Sequence, residues 1–220
     1  MSNKSGNAYG LTTLIPIRAG TPAKCPEGME GQTYAACLRY QLQDMSWVSL
    51  NSPMAKVPNT YLCRFYILED VYYEGKPAAL EHLKSNYLVF TANLHGELRP
   101  WLEGLWRAIQ PEISALLQNC YGFETVHDSE SFVAYIEECQ LETTFYFNGS
   151  TDEPLDVQLK SLYLKQEFSK FVYENQGKTT AQLQAAFAEF VKRTQPENTA
   201  GPTWRAGAYE LDNVTGAGEA

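Results

Sequence analysis

Hydrophobic positions along the chain follow two periods, near two and near 3.6 residues, and their succession predicts the elements. In GLTTLIPIRAG, residues 10–20, Leu11, Leu14 and Ile17 stand among few charges, and Gly20 and Pro22 end the run, which predicts a buried strand. After a Gly- and Pro-bearing loop, residues 33–45 predict a helix with Leu38, Leu42 and Met45 on one side. NTYLCRFYILED, residues 59–70, is rich in aromatic and other strand-forming residues. Side chains alternate along a strand, so Tyr61, Cys63, Phe65 and Ile67 point one way and Leu62, Arg64, Tyr66 and Leu68 the other. Both faces are largely apolar, which predicts a central strand. SNYLVFTANLHG, residues 85–96, is a third strand. Residues 97–123 then read as a long helix with Leu98, Leu102, Leu105, Trp106 and Ile109 at helical spacing. Pro111 should kink or restart it, and Gly122 suits its C-terminal cap. SESFVAYIEECQ, residues 129–140, predicts a short helix capped by Ser129 with Phe132, Tyr135 and Ile136 inward. LETTFYFNG, residues 141–149, predicts a fourth strand stopped by Asn148 and Gly149.

Strand, helix, strand, strand, helix, strand is the ferredoxin-like βαββαβ order, an α+β fold with two helices on one face of an antiparallel sheet. The other sheet face needs cover from a partner subunit or from the rest of the chain. Residues 155–175 and 179–194 supply two amphipathic helices, broken at Gly177, the second opening with Thr179 and Gln182 at capping-box spacing. The expected organisation is a ferredoxin-like domain over residues 9–150 and a helical extension packing on it over 151–195. An irregular tail follows over 196–220, in which Trp204, Tyr209 and Leu211 are the residues to find a surface.

The length of 220 residues and the 44% hydrophobic content suit one core of this size. The net charge of -9 argues against nucleic acid or an anionic membrane surface as a partner, and no run of about 20 apolar residues spans a bilayer. Five cysteines, an odd number with no CxxC pair, do not spell a zinc site or a disulfide framework. The N-terminus lacks the apolar core of a signal peptide, so a reduced cytoplasmic protein is the simplest expectation, and the N-x-[ST] matches at Asn148 and Asn213 are then chance.

Three stretches, LTTLIPIRAG, YLCRFYILED and LVFTANLHGEL, carry a resemblance spanning roughly residues 10 to 122. The chain there resembles a bacterial family of ferredoxin-like, dimeric α/β-barrel proteins, some of whose relatives bear peroxidase-related labels. The family pattern has Arg followed by an aromatic in one strand, here Arg64-Phe65. It has Ser/Thr-x-Asn-x-Asp-Gly at the end of a later strand, here Thr91-Ala92-Asn93-Leu94-His95-Gly96. The chain departs from it twice: Tyr61 stands where a histidine is expected, and His95 where the Asp precedes the glycine. The resemblance implies a homodimer, since family chains often hold two such modules and this one holds one. It also implies haem as a cofactor, although the GxxDG motif of dye-decolourising peroxidases is missing.

The candidate chemistry is sparse. Arg64 lies in an otherwise apolar strand, where burial is costly without a partner. It grips an anionic ligand group with its forked donors, or it pairs with Glu69, Glu142 or an interface carboxylate. Tyr66 shares its face, and Asn93 is placed to bond a ligand or its own turn. His95 is a candidate general base or metal ligand at the barrel mouth; the Asp of relatives at this place favours a turn role, with Gly96 accepting positive φ. His82 and His127 lack a second histidine or a cysteine at ligand spacing, and Cys63 lacks a visible base, so no metal site is expected and Cys63 reads as a small buried hydrophobe. Arg64, Tyr66 and Asn93, with His95 beside them, are therefore the expected polar rim of a pocket for a small apolar or amphipathic molecule. A haem-dependent oxidoreductase and a non-catalytic dimerisation module are the alternatives.

Overall fold

A computed structural model describes residues 3–46, 51–150 and 152–204. They form β1 (Lys4–Ser5), β2 (Ala8–Pro16), α1 (Tyr34–Asp44), β3 (Thr60–Leu68), β4 (Tyr87–His95), α2 (Leu98–Leu117), α3 (Ser129–Glu138), α4 (Leu155–Glu174) and α5 (Thr180–Thr194). The fold is α+β, with one four-stranded antiparallel sheet in the order β1-β2-β4-β3 and five α-helices. These residues fall into two compact units that divide between Asp152 and Glu153. Tyr209 and Leu211, expected to anchor the tail, lie outside the described residues.

The first unit buries one face of the sheet. Leu11 and Ile15 of β2 and Leu88, Phe90, Ala92 and Leu94 of β4 pack with Leu38 of α1, Leu102, Leu105 and Ile109 of α2, and Phe132 and Ile136 of α3. The alternation in the sequence produces this, because residues two apart share a sheet face. In α2, Ile109 leaves helical geometry at φ -141 and ψ 33, two residues ahead of Pro111, whose ring crowds the preceding turn and which has no amide proton to donate.

The structure corrects several expectations. Residues 141–149 do not form a fourth strand; Gln140 makes a single bridge to Thr13, and β1 holds the outer place beside β2. The side chain of Asn3 competes for the backbone there, accepting from Thr143 N at 2.7 Å and donating to the Leu141 carbonyl at 3.2 Å. The βαββαβ order is thus left without its last strand. Strand β3 is not central but outermost, and its second apolar face is half open, with Leu62 and Tyr66 each 49% exposed. A register shift between Thr60 and Leu62 takes Tyr61 out of the simple alternation. The cap of α3 is Asp128 rather than Ser129, because Asp128 accepts from Ser131 N at 2.8 Å while the Ser131 hydroxyl accepts from Asp128 N at 3.0 Å. Helix α2 ends at Leu117, and Gly122, at φ 81, instead opens a short 3-10 turn over Phe123–Thr125.

The second unit is a helical hairpin held by rings. Phe171 and Phe190 are buried, with centroids 5.1 Å apart, and Phe168 and Phe187 flank them. The capping box of Thr179 and Gln182 starts α5 as the sequence predicts. Two buried charged side chains, Lys160 and Glu167, complete it. The buried Lys160 donates to the carbonyls of Thr194 and Pro202, each at 2.7 Å, and the buried Glu167 accepts from Lys170 at 3.0 Å and from Arg193. Burial alone would raise the pKa of Glu167, but the bonds from Arg193 and Lys170 outweigh it and hold the carboxyl below its ordinary 4.5. A depressed folded-state pKa stabilises the fold above the unfolded value, and that contribution is lost as pH falls through the folded value. The hairpin is therefore expected to lose stability on acidification below about pH 4.5. Hydrogen exchange of α5 amides checks this, since Glu167→Gln should start less stable and show a flatter acid response. An equal acid response in both chains would remove Glu167 as the cause.

Candidate functional site

The sheet face away from α1, α2 and α3 carries Gly10 and Thr12 from β2, Thr91, Asn93 and His95 from β4, and Leu62, Arg64 and Tyr66 from β3. Register aligns them: Gly10 opposes Asn93, Thr12 opposes Thr91, and across β4 Asn93 opposes Leu62 and Thr91 opposes Arg64. A cavity of about 120 Å3 opens on this face, lined by Gly10, Leu11, Thr12, Leu62, Arg64, Thr91, Asn93, Thr143 and Tyr146. Thr143 and Tyr146 come from the segment expected to be a strand. Freed from the ladder, it folds over the sheet and lays the Tyr146 ring on Gly10. A Cβ at Gly10 would stand 2.9 Å from Tyr146 Cε2, so only glycine leaves room for that ring. Burial raises the pKa of the Tyr146 hydroxyl above its ordinary value.

The charge in this cavity is Arg64. Glu69, one candidate partner, pairs with Arg39 instead, and no carboxylate among the described residues bridges Arg64. Arg64 is exposed rather than buried, so it carries no burial cost, and it shares the lining with neutral groups, Asn93, Thr12, Thr91 and Thr143. No opposing carboxylate repels an incoming anion there.

The structure brings Arg64 and Asn93 together but leaves Tyr66 and His95 out of the cavity lining. Tyr66 lies farther along the same face of β3, opposite Val89. His95 ends β4, and its backbone N donates to Asn59 O at 3.0 Å. Its Nδ1 lies 3.0 Å from the Tyr61 hydroxyl, with the rings edge to face. The two positions where the chain departs from the resembled pattern thus touch each other. The imidazole bonds a neighbouring side chain rather than its turn, while Gly96 at φ 99 makes the turn. His82 Nδ1 stands 2.6 Å from the exposed Asp70 carboxylate, and that bond, with the amides of Leu83 and Val71, holds Asp70 down at about 2. His127 precedes the cap of α3, its N donating to Ser131 Oγ. Cys63 faces the helices, and burial pushes its thiol up to about 11, away from nucleophilic use.

These residues do not fit haem. A cavity of about 120 Å3 is below the roughly 300–1,000 Å3 of pockets that enclose a drug-sized ligand. His95 is not in its lining. Among the described residues no group of three or more His, Cys, Asp or Glu side chains is placed to hold a metal ion, and no helix is long and apolar enough to cross a membrane.

Thr12, Thr91, Thr143, Tyr146 and Gly10 escaped the sequence reading. The signal was present for Thr12 and Thr91, polar residues spaced by two from Gly10 and Asn93 in otherwise apolar strands. Nothing local marked Thr143 and Tyr146, since their roof position depends on the segment leaving the sheet. Comparison with family models, with curated proteins and with solved structures finds no match.

Proposed function

We propose that this chain binds a small amphipathic acid on the open face of its sheet, with the acid group at Arg64. The observation that carries the reading is the Arg64 guanidinium, without an ion-pair partner among the described residues, set over a cavity of neutral hydrogen-bonding groups. A carboxylate or similar oxyanion matches the forked donors of arginine. The cavity of about 120 Å3 holds a head group, not a whole molecule. The half-exposed Leu62 and Tyr66 beside it offer the apolar surface for a tail.

Calorimetric titration with decanoate, with decanol and with sulfate tests this on the full chain. Decanoate is expected to bind saturably and more tightly than either control. Arg64→Met should weaken it about ten- to a hundredfold while leaving the melting temperature unchanged, the loss of one or two charge-assisted hydrogen bonds. Decanoate binding that ignores Arg64→Met sinks the proposal. A variant that also loses stability and changes its oligomeric size assigns Arg64 a structural role instead.

The same reading includes a ferredoxin-like module that pairs with a second copy as a dimeric α/β barrel. Its support is that β2, β4 and β3 run side by side in the order of the first, third and second strands of that arrangement, and that Leu62 and Tyr66 need cover. Light scattering should then give the mass of two chains. A two-chain mass without any acid binding would favour a non-catalytic assembly role.

A further inference from the structure

We propose that the free edge of β3 is an interface between two copies of this chain, paired antiparallel with Phe65 on the two-fold axis. The two edges of the sheet are treated differently. In an antiparallel ladder, alternate residues of a strand bond opposite neighbours. On the outer side of β2, Gly10 N donates to the Asn3 carbonyl at 2.9 Å and Leu14 N to the Cys139 carbonyl at 3.0 Å, while the Thr12 carbonyl accepts from Leu141 N at 2.8 Å. Leu11, Thr13 and Ile15 therefore bond β4 through Ala92, Phe90 and Leu88. That leaves Asn93, Thr91 and Val89 to bond β3 through Leu62, Arg64 and Tyr66. The backbone groups of Cys63, Phe65 and Ile67 then point out of the sheet, and among the described residues no backbone or side-chain group bonds them there. Native edges are blunted by shortness, lysine, proline or bulges in mid-strand. The nine residues of β3 hold no lysine and no proline, are apolar on both faces, and bulge only at their start. This is a central strand's sequence in an outer place, and a further strand beside it resolves the mismatch.

The strand that fits is β3 of a second copy, so the proposal rests on the two-copy reading above and adds where the chains join. With Phe65 on the axis, Phe65 meets its own copy and Cys63 meets Ile67 of the partner subunit. Every outward residue then faces an outward residue, which forms about six backbone hydrogen bonds and closes the pair. On the open face, the exposed Arg64 falls opposite Tyr66 of the partner subunit, 49% exposed in the single chain, and the contact occurs twice. A guanidinium over a tyrosine ring is an attractive cross-strand pair. Centring the axis on Arg64 would instead set two guanidinium groups against each other, so charge selects the register. Leu62, also 49% exposed, gains Leu68 of the partner subunit beside it.

Sedimentation equilibrium and amide exchange of the full chain over a dilution series test this. The expected result is a two-chain mass that dissociates on dilution, with exchange in residues 62–68 accelerating in step. Tyr66→Lys sets a lysine against each Arg64 and should raise the dissociation constant about tenfold, with an unchanged melting temperature for the diluted chain. Adding Arg64→Glu to that variant should restore pairing, because each glutamate then faces a lysine across the seam. A single-chain mass at every concentration overturns this interface together with the two-copy reading. A two-chain mass in which residues 62–68 exchange equally at all dilutions overturns the interface alone and places the contact elsewhere. Protection of those residues at single-chain mass overturns it too, since the chain then covers its own edge. The wild-type exchange is decisive even if a variant folds poorly.

Discussion

Phe90→Ala is expected to cost about 3–5 kcal/mol of unfolding free energy. Phe90 lies at the middle of β4, 1% exposed, on the face that meets the helices. Its ring stacks on Phe65 with centroids 4.4 Å apart and planes 3° from parallel, and Trp101 lies 6.3 Å away on α2. Truncation removes a large apolar area from burial and leaves a void that the paired strands on both sides cannot close. Its backbone carbonyl also accepts from the buried Thr13 hydroxyl at 3.2 Å, so collapse of the strand would disturb a polar contact too. A domain of ordinary stability, about 5–15 kcal/mol, keeps little margin after such a loss. Urea denaturation reads the effect. A cost under about 1 kcal/mol would mean that the Phe65 and Trp101 rings refill the space, contrary to this packing.

Lys160→Met is expected to destabilise the C-terminal helical unit by about 2 kcal/mol. Methionine keeps most of the buried stem and loses the ammonium, which bonds the Thr194 carbonyl at the end of α5 and the Pro202 carbonyl beyond it. A cation at a helix C-terminus also meets the negative end of the helix dipole. Burial lowers the pKa of Lys160, so part of this gain is already offset by desolvation, and the expected cost sits at the low end for charged hydrogen bonds. Amide exchange at Thr194 and in residues 195–204 should accelerate while the sheet amides stay unchanged. Exchange unaltered in that stretch would show that the tail is held by other contacts.

The elements were legible in the sequence where burial and period agree. Leu88, Phe90, Ala92 and Leu94 mark the helix-covered face of β4, Leu102, Leu105 and Ile109 mark α2, and Thr179 with Gln182 marks the start of α5. The failures share a cause in tertiary competition. TTFYF in residues 143–147 has the composition of a strand, but composition does not report that β1 and the Asn3 side chain take the positions it would need. The apolar residues on both faces of β3 suggest a central strand, yet Leu62 and Tyr66 face the open side of an outer one. For the site, Arg64 and Asn93 stood out because a charge and an amide are unusual in apolar strands. His95 drew attention by residue type, and the geometry gives it to Tyr61, a pairing that the bulge at β3 creates and no local pattern announces.

The strand order also constrains how the chain can assemble as it is made. Strands β2 and β3 do not pair with each other; both long ladders run through β4, which follows them in the chain. A nascent chain that has not yet delivered Tyr87–His95 therefore carries two apolar segments with no central partner, open to association with other chains. Pairing Ala8 with His95 closes a long loop, which slows the step but costs little more than a loop half as long. Helix α2 begins at Leu98, directly behind β4, so the central strand arrives with its own cover. Sheet and core are therefore expected to form together, with the greatest aggregation risk during synthesis ending when that strand–helix pair emerges.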